Sequence, residues 1–277
     1  MTEAAVLPAA DTFAANRAVG GIALSVQATD SVSRCARIHE HGSLRARFPG
    51  ARKGELEAVI VNTAGGIAGG DRFGFDMSVG ENASLVVSTA AAEKVYRTLG
   101  PEAVISVTLD VAAGASLGWL PQETILFDRA RMRRTIDVTL APDARLILAE
   151  ALVLGRTAMD EVVAEGSLFD RWRVRRDGRL VFAEGLRLDG AIAGKLAETA
   201  VARGAVAVAT VLIVPGDDTH VEAIRALEAL RGEVGVSAWN GIAVVRLVAT
   251  DGAALRHDLM MILVALRGTA LPRLWLN

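Results

Sequence analysis

Through the first two-thirds of the chain, apolar residues fall into short runs rich in Val, Ile, Leu and Thr, broken by Gly, Pro, Asn and Asp. Ile22–Gln27, Ala58–Val61, Ser84–Ser88, Val104–Asp110, Thr135–Leu140 and Arg145–Ala149 each have the length and branched-residue content of a strand. Helical periodicity is scarce there, with one turn of helix expected at Ala90–Thr98. Three turns share an apolar–x3–Ala–x–Leu frame: Val79 to Ala83 and Leu85, Val111 to Ala115 and Leu117, Leu140 to Ala144 and Leu146. Each copy reads as a strand, a tight turn and a returning strand. Units of this period that cannot bury their own faces tend to stack.

The last third has a different rhythm. Ala205–Val214 reads as a buried strand. A helix follows over Thr219–Arg231, capped by Asp218 or Thr219, lined by Ile224, Leu227 and Leu230, and stopped by Gly232. Asn240-Gly241 between the apolar runs Val236–Trp239 and Ile242–Ala249 predicts a hairpin, since both turn residues need positive φ. A final helix runs from about Asp251 to Arg267, with Gly268 as its terminator. The patterns together predict a mainly β fold of stacked or layered sheets, β-helix-like or sandwich-like, with two C-terminal α-helices in an α+β C-terminal region. No Pro- or Ser-rich linker interrupts it. One domain is expected over 1–277, β-rich over about 20–200 and β-α-β-β-α over about 201–277.

Composition narrows the function classes. Aromatics are only 4%, so aliphatic residues must fill the core. A net charge of −2 argues against a nucleic-acid binder, which would carry a basic footprint. Glu3 and Asp11 precede the first basic residue, Arg17, opposite to a secretory signal. The longest strongly apolar run, Gly204–Val214, is too short for a helix to cross a bilayer core of about 30 Å. A cytoplasmic protein without membrane contact is expected. Cys35 is the single cysteine, which excludes an intrachain disulfide and paired-cysteine zinc sites.

The glycine-rich segment Asn62–Arg72 lacks the Lys and Ser/Thr of a phosphate loop, and Asp71 would repel phosphate. It reads as a glycine turn between strands. Cys35, Arg37, His39 and His41 alternate, so on a regular strand the thiol and both imidazoles would share one face, a donor set suited to zinc, nickel or copper. Asp71, Glu93, Glu150 and Glu184 sit in apolar surroundings, where a carboxylate needs an arginine, water or a bound cation. Arg129, Arg131, Arg133 and Arg134 form one basic cluster and Arg171–Arg176 another. In the latter Arg171, Arg173 and Arg175 share a strand face, read as solvated or protein-binding. No nucleophile elbow or zinc-protease motif is present.

Taken in order, NTAGGIAGGDR (62–72), STAAAEKVYRT (88–98), WLPQETILF (119–127), EALVLGR (150–156), LFDRW (168–172) and LPRLW (271–275) resemble the urease accessory protein UreD, also called UreH, from about Gly42 to the C-terminus. The resemblance implies a β-rich, non-catalytic scaffold that binds urease apoprotein and UreF, and through UreF the GTPase UreG, and that admits a homodimer within the accessory complex. It implies no tightly bound cofactor, with transient nickel as cargo in a polar internal passage lined by Asp71, Glu93, Glu150 and Glu184. Many family members carry His-Pro-Pro where this chain has Asn62-Thr63-Ala64, so no histidine role transfers there. The competing expectation is an independent metal-dependent enzyme built on Cys35, His39 and His41.

Overall fold

The computed structural model describes residues 17–52, 54–156 and 159–276. The charge pattern of residues 1–16, on which the expectation of no leader rests, lies outside these.

Among the described residues, eighteen strands form two sheets. In chain order they are β1 (Val19–Thr29), β2 (Val32–Gly42), β3 (Leu44–Arg47), β4 (Ala51–Arg52), β5 (Glu55–Asn62) and β6 (Arg72–Val79). The stack continues with β7 (Ser84–Thr89), β8 (Glu93–Val95), β9 (Ala103–Val111), β10 (Ser116–Trp119), β11 (Thr124–Leu126) and β12 (Arg131–Leu140). Then come β13 (Arg145–Leu154), β14 (Glu165–Arg176), β15 (Arg179–Ala191), β16 (Ala207–Val214), β17 (Glu233–Trp239) and β18 (Ile242–Ala249). The seven-stranded sheet runs β15-β14-β12-β9-β6-β1-β2, and the larger one runs β17-β18-β16-β13-β10-β7-β5-β3.

Between β6 and β13 the chain winds as a solenoid. Each coil places one strand in the small sheet, turns a corner, and places the next in the large sheet, so neighbouring coils pair in parallel. The repeated frame marks these corners. Val79, Val111 and Leu140 align in one sheet, and Ser84, Ser116 and Arg145 align in the other. Within each corner the alanine N–H donates to the carbonyl three residues back, at 3.1–3.2 Å. Corners are also bonded to one another: Ser116 N–H donates to Ala83 O and Arg145 N–H to Ala115 O, both at 2.9 Å. Ala83, Ala115 and Ala144 are almost fully buried, which explains the small residue at each copy. The returning strand therefore does not fold back on its predecessor as a hairpin would; it crosses to the opposite sheet.

One apolar core fills the space between the sheets. A second lies on the outer face of the large sheet, where α2 (Asp218–Arg225) and α3 (Gly252–Arg267) pack with Trp275. A six-residue helix, α1 (Ile192–Ala197), precedes β16 and was not expected from the pattern. The outer face of the small sheet stays polar, with Arg72, Asp76, Ser106, Thr108 and Asp110 exposed. The C-terminal region joins the stack through β13, which pairs antiparallel with β16 over eight residues.

The hairpin and the last helix form as expected. Asn240 and Gly241 have φ of +49° and +77°, Asp251 caps α3 by accepting from Ala254 N–H at 2.8 Å, and Gly268 ends it at φ +60°. Two local expectations differ. Ala90–Thr98 is extended, because Ile67 N–H donates to Lys94 O and Tyr96 N–H to Ile67 O, while Glu93 N–H donates to Glu123 O. The helix expected to reach Arg231 ends at Arg225. Buried Asp258 on α3 accepts the backbone N–H groups of Arg231 and Gly232 at 2.8 and 2.7 Å, holding that segment away from helical pairing. Its cap is Asp217, one residue earlier than expected.

If the alanine column sets the register of the stack, Ala115→Leu overpacks it and costs about 2 kcal/mol. Urea denaturation should show that loss.

A buried charge cluster between the sheets

Three buried charged groups meet between the sheets. Arg134 on β12 and Asp170 on β14 are paired in register. Both point inward because they fall in phase, two positions away, with Met132 and Ile136 or Leu168 and Trp172, all buried. Glu150 reaches them from β13 in the opposite sheet. The Arg134 guanidinium donates to Glu150 Oε2 and to both oxygens of Asp170. Two indoles complete the set: Trp119 Nε1 donates to Glu150 Oε1 at 2.9 Å, and Trp172 Nε1 to Asp170 Oδ1 at 3.1 Å. All three charged side chains are 6% exposed or less.

One cation faces two carboxylates, so with all groups ionised the cluster is one positive charge short of neutral. Burial pushes Glu150 up to about 7, against the opposing pull of Arg134, and the Asp170 charge adds to the rise. A cavity of about 200 Å³ adjoins the cluster, lined by Glu150, Asp170 and Trp172 with Glu184, Thr210 and Arg246. Thr210 lies beside Glu150 and Arg246 beside Thr210 on successive strands of the large sheet. Glu184 on β15 faces them and pairs with Arg246, whose side chain is 55% exposed. Polar groups thus run from the sealed centre to the open edge between the sheets.

Glu93 sits on the other side of Glu150. Register places Glu93, Thr124 and Leu152 side by side, so Glu93 is two strand spacings, about 10 Å, from the β13 backbone. Burial raises its carboxyl to about 7, offset in part by hydrogen bonds from Asn62 Nδ2 at 3.3 Å and from the Lys94 backbone. Asp71 stands apart from the cavity. Its two oxygens accept Ala18 N–H at 2.8 Å and Ala68 N–H at 2.7 Å, stitching the glycine turn to the start of β1. That turn connects β5 to β6. Gly66 has φ +144°, and a Cβ there would lie 2.5 Å from the Tyr96 ring. The four carboxylates do not converge, and no group of three or more His, Cys, Asp or Glu among the described residues is placed to hold one ion.

Cys35, His39 and His41 are not brought together either. A bulge between Ser25 and Val26 shifts the register of β1 against β2, pairing Val26 with Cys35 but Ser25 with Arg37. This flips the face: Cys35 packs against the inner core, whereas His39 and His41 point outward. Arg131, Arg133, Arg171, Arg173 and Arg175 lie on the outward face of their strands, as expected. Arg134 does not, and neither it nor Asp170 was singled out from the sequence. The signal was present, since each falls in phase with the buried positions of its strand.

The profile of the UreD urease accessory protein family matches residues 18–276. The chain belongs to the UreD family. It is 56% identical to "Urease accessory protein UreD 3" of Bradyrhizobium sp. (strain BTAi1) over 270 residues, covering 97% of each chain. It is also 56% identical to a UreD of Rhodopseudomonas palustris (strain BisB5), covering 96% of this chain and 94% of that one. A third UreD, of Bradyrhizobium diazoefficiens, is likewise 56% identical, with 96% of each chain covered. This UreD chain is a urease accessory protein, and among its described residues no helix is long and apolar enough to cross a membrane.

Two outcomes follow for the buried carboxylates. Arg134→Met leaves Glu150 and Asp170 uncompensated and should cost about 3–5 kcal/mol, with much of it recovered when both acids are also made apolar; denaturant titration of the single and triple variants checks this. Glu93 holds its proton to higher pH folded than unfolded, so its contribution to stability falls as pH rises from about 4.5 to about 7. Glu93→Gln should remove that slope, gaining about 2 kcal/mol on the wild type between the two ends of the window.

Proposed function

We propose that this chain is a non-catalytic scaffold of urease maturation, acting in the cytoplasm, that holds urease apoprotein together with UreF and, through UreF, the GTPase UreG. Nickel passes through it as cargo, with no tightly bound cofactor, and the chain pairs with a second copy within the accessory complex. Family membership supports the setting. The buried cluster of Arg134, Glu150 and Asp170 carries the passage: it is one positive charge short and opens on a cavity whose polar groups continue to the edge at Glu184.

A divalent ion moving there would meet carboxylate oxygens, hard and exchangeable donors for a borderline ion, rather than the thiolate and imidazole set that would trap it. Glu93, Glu150 and Glu184 line the proposed path, joined by Asp170, while Asp71 holds the glycine turn in place. Arg134 supplies a fixed positive charge that keeps the two central carboxylates from binding an ion irreversibly. An independent enzyme built on Cys35, His39 and His41 has no support in the geometry, since the bulge in β1–β2 separates the thiol from the imidazoles.

The test is reconstitution of urease activity from apoprotein, UreF, UreG, nickel and GTP, with and without this chain. Activation should require it, and Glu184→Gln with Glu93→Gln should slow nickel incorporation several-fold while the complex still assembles. Activation without the chain would overturn the scaffold role; an unchanged rate in the variants would overturn the passage.

A further inference from the structure

We propose that His39 and His41 form a two-imidazole surface site for a borderline divalent transition ion, of the Ni²⁺, Cu²⁺ or Zn²⁺ class. The site is independent of the interior passage and requires none of its residues.

Among the described residues β2 is the outermost strand of the small sheet, with no strand beside its far edge. The bulge that turns Cys35 inward sets Arg37, His39 and His41 on the outer face. Their partners across β1 are Ser25, Ala23 and Gly21, so nothing large or charged on β1 covers the rings. Gly21 matters most: a Cβ there would lie 2.0 Å from Cε1 of the His41 ring, so only a bare backbone leaves room for this ring. The two ring centroids are 5.8 Å apart and tilted by 35°. Metal–nitrogen bonds of about 2 Å let two imidazoles share one ion when their centroids lie within about 6 Å. The observed spacing meets that limit, so turning the rings about their side-chain bonds, without backbone movement, is what would bring one nitrogen of each onto the ion.

Neutral imidazole suits Ni²⁺, Cu²⁺ and Zn²⁺ and discriminates against Mg²⁺ and Ca²⁺. Both residues are exposed and neither imidazole is hydrogen-bonded within the described residues, so no hydrogen bond has to be broken before an ion binds. Tight sites brace the second ring nitrogen against a carboxylate or carbonyl. This pair lacks that brace, and Arg37 stands next to His39 on the same face. Both features weaken the hold, giving a site that exchanges its ion with solvent and leaves the remaining positions to water.

The test is titration of the full chain with Ni²⁺ alone by calorimetry, and with Cu²⁺ alone by electron paramagnetic resonance. One ion per chain should bind, and the Cu²⁺ spectrum should show splitting from two nitrogens. His39→Ala and His41→Ala should each reduce this to one nitrogen and weaken binding about tenfold or more, since second-sphere changes alone cost that much. The double variant should lose the nitrogen signal, and Cys35→Ser should change nothing. Absence of a two-nitrogen spectrum in the wild type, or its persistence in the double variant, would overturn the proposal. Ions held by interior carboxylates carry no nitrogen splitting and are thereby distinguished.

Discussion

In a stack of parallel coils each strand is hydrogen-bonded to the strand one coil away, so a side chain's inward neighbours are those at its own level in adjacent coils. Here that level is set by the corners, where Ala83, Ala115 and Ala144 pile up and bond to the next coil. Everything inside follows from it. A slip of one residue would turn Arg134 out to solvent and leave Asp170 and Glu150 buried alone, a cost of several kcal/mol. Correct stacking instead puts Arg134 beside Asp170 and across from Glu150.

That cluster is a poor device for stability, because an apolar trio of similar volume would often serve as well or better. Its electrostatics explain more than its energy does. The two indole N–H groups and the guanidinium satisfy the carboxylates, yet with both acids ionised the summed charge is negative in a low-dielectric space. That imbalance is what the proposed passage draws on. The outward sequence of Thr210, Arg246 and Glu184 alternates neutral, positive and negative groups.

Much of the architecture was legible in the chain because the signals were local. The apolar–x3–Ala–x–Leu frame marked the coil corners, and Asn240-Gly241 marked the hairpin by its demand for positive φ. What could not be read depended on partners distant in sequence. Ala90–Thr98 is extended because Ile67 and Glu123 pair with it, and the helix after Asp217 stops early because Asp258 captures the segment beyond it. At the site, Glu150 and Glu184 were recognisable as carboxylates among apolar residues. Arg134 was hidden inside a cluster of outward arginines, and only strand parity distinguishes it. The alternation of Cys35, His39 and His41 was misleading for the converse reason, since a bulge resets parity in the middle of the run.

If ions traverse the space between the sheets as proposed, filling that space must block them. Thr210→Phe places a ring in the cavity beside Glu150 while leaving every charged group in place. Nickel incorporation into urease apoprotein would then be measured in the assembled complex, with assembly checked by size. The complex should form and nickel incorporation should fall steeply. Normal incorporation through a plugged cavity would contradict it, and would move the ion's route to the protein surface.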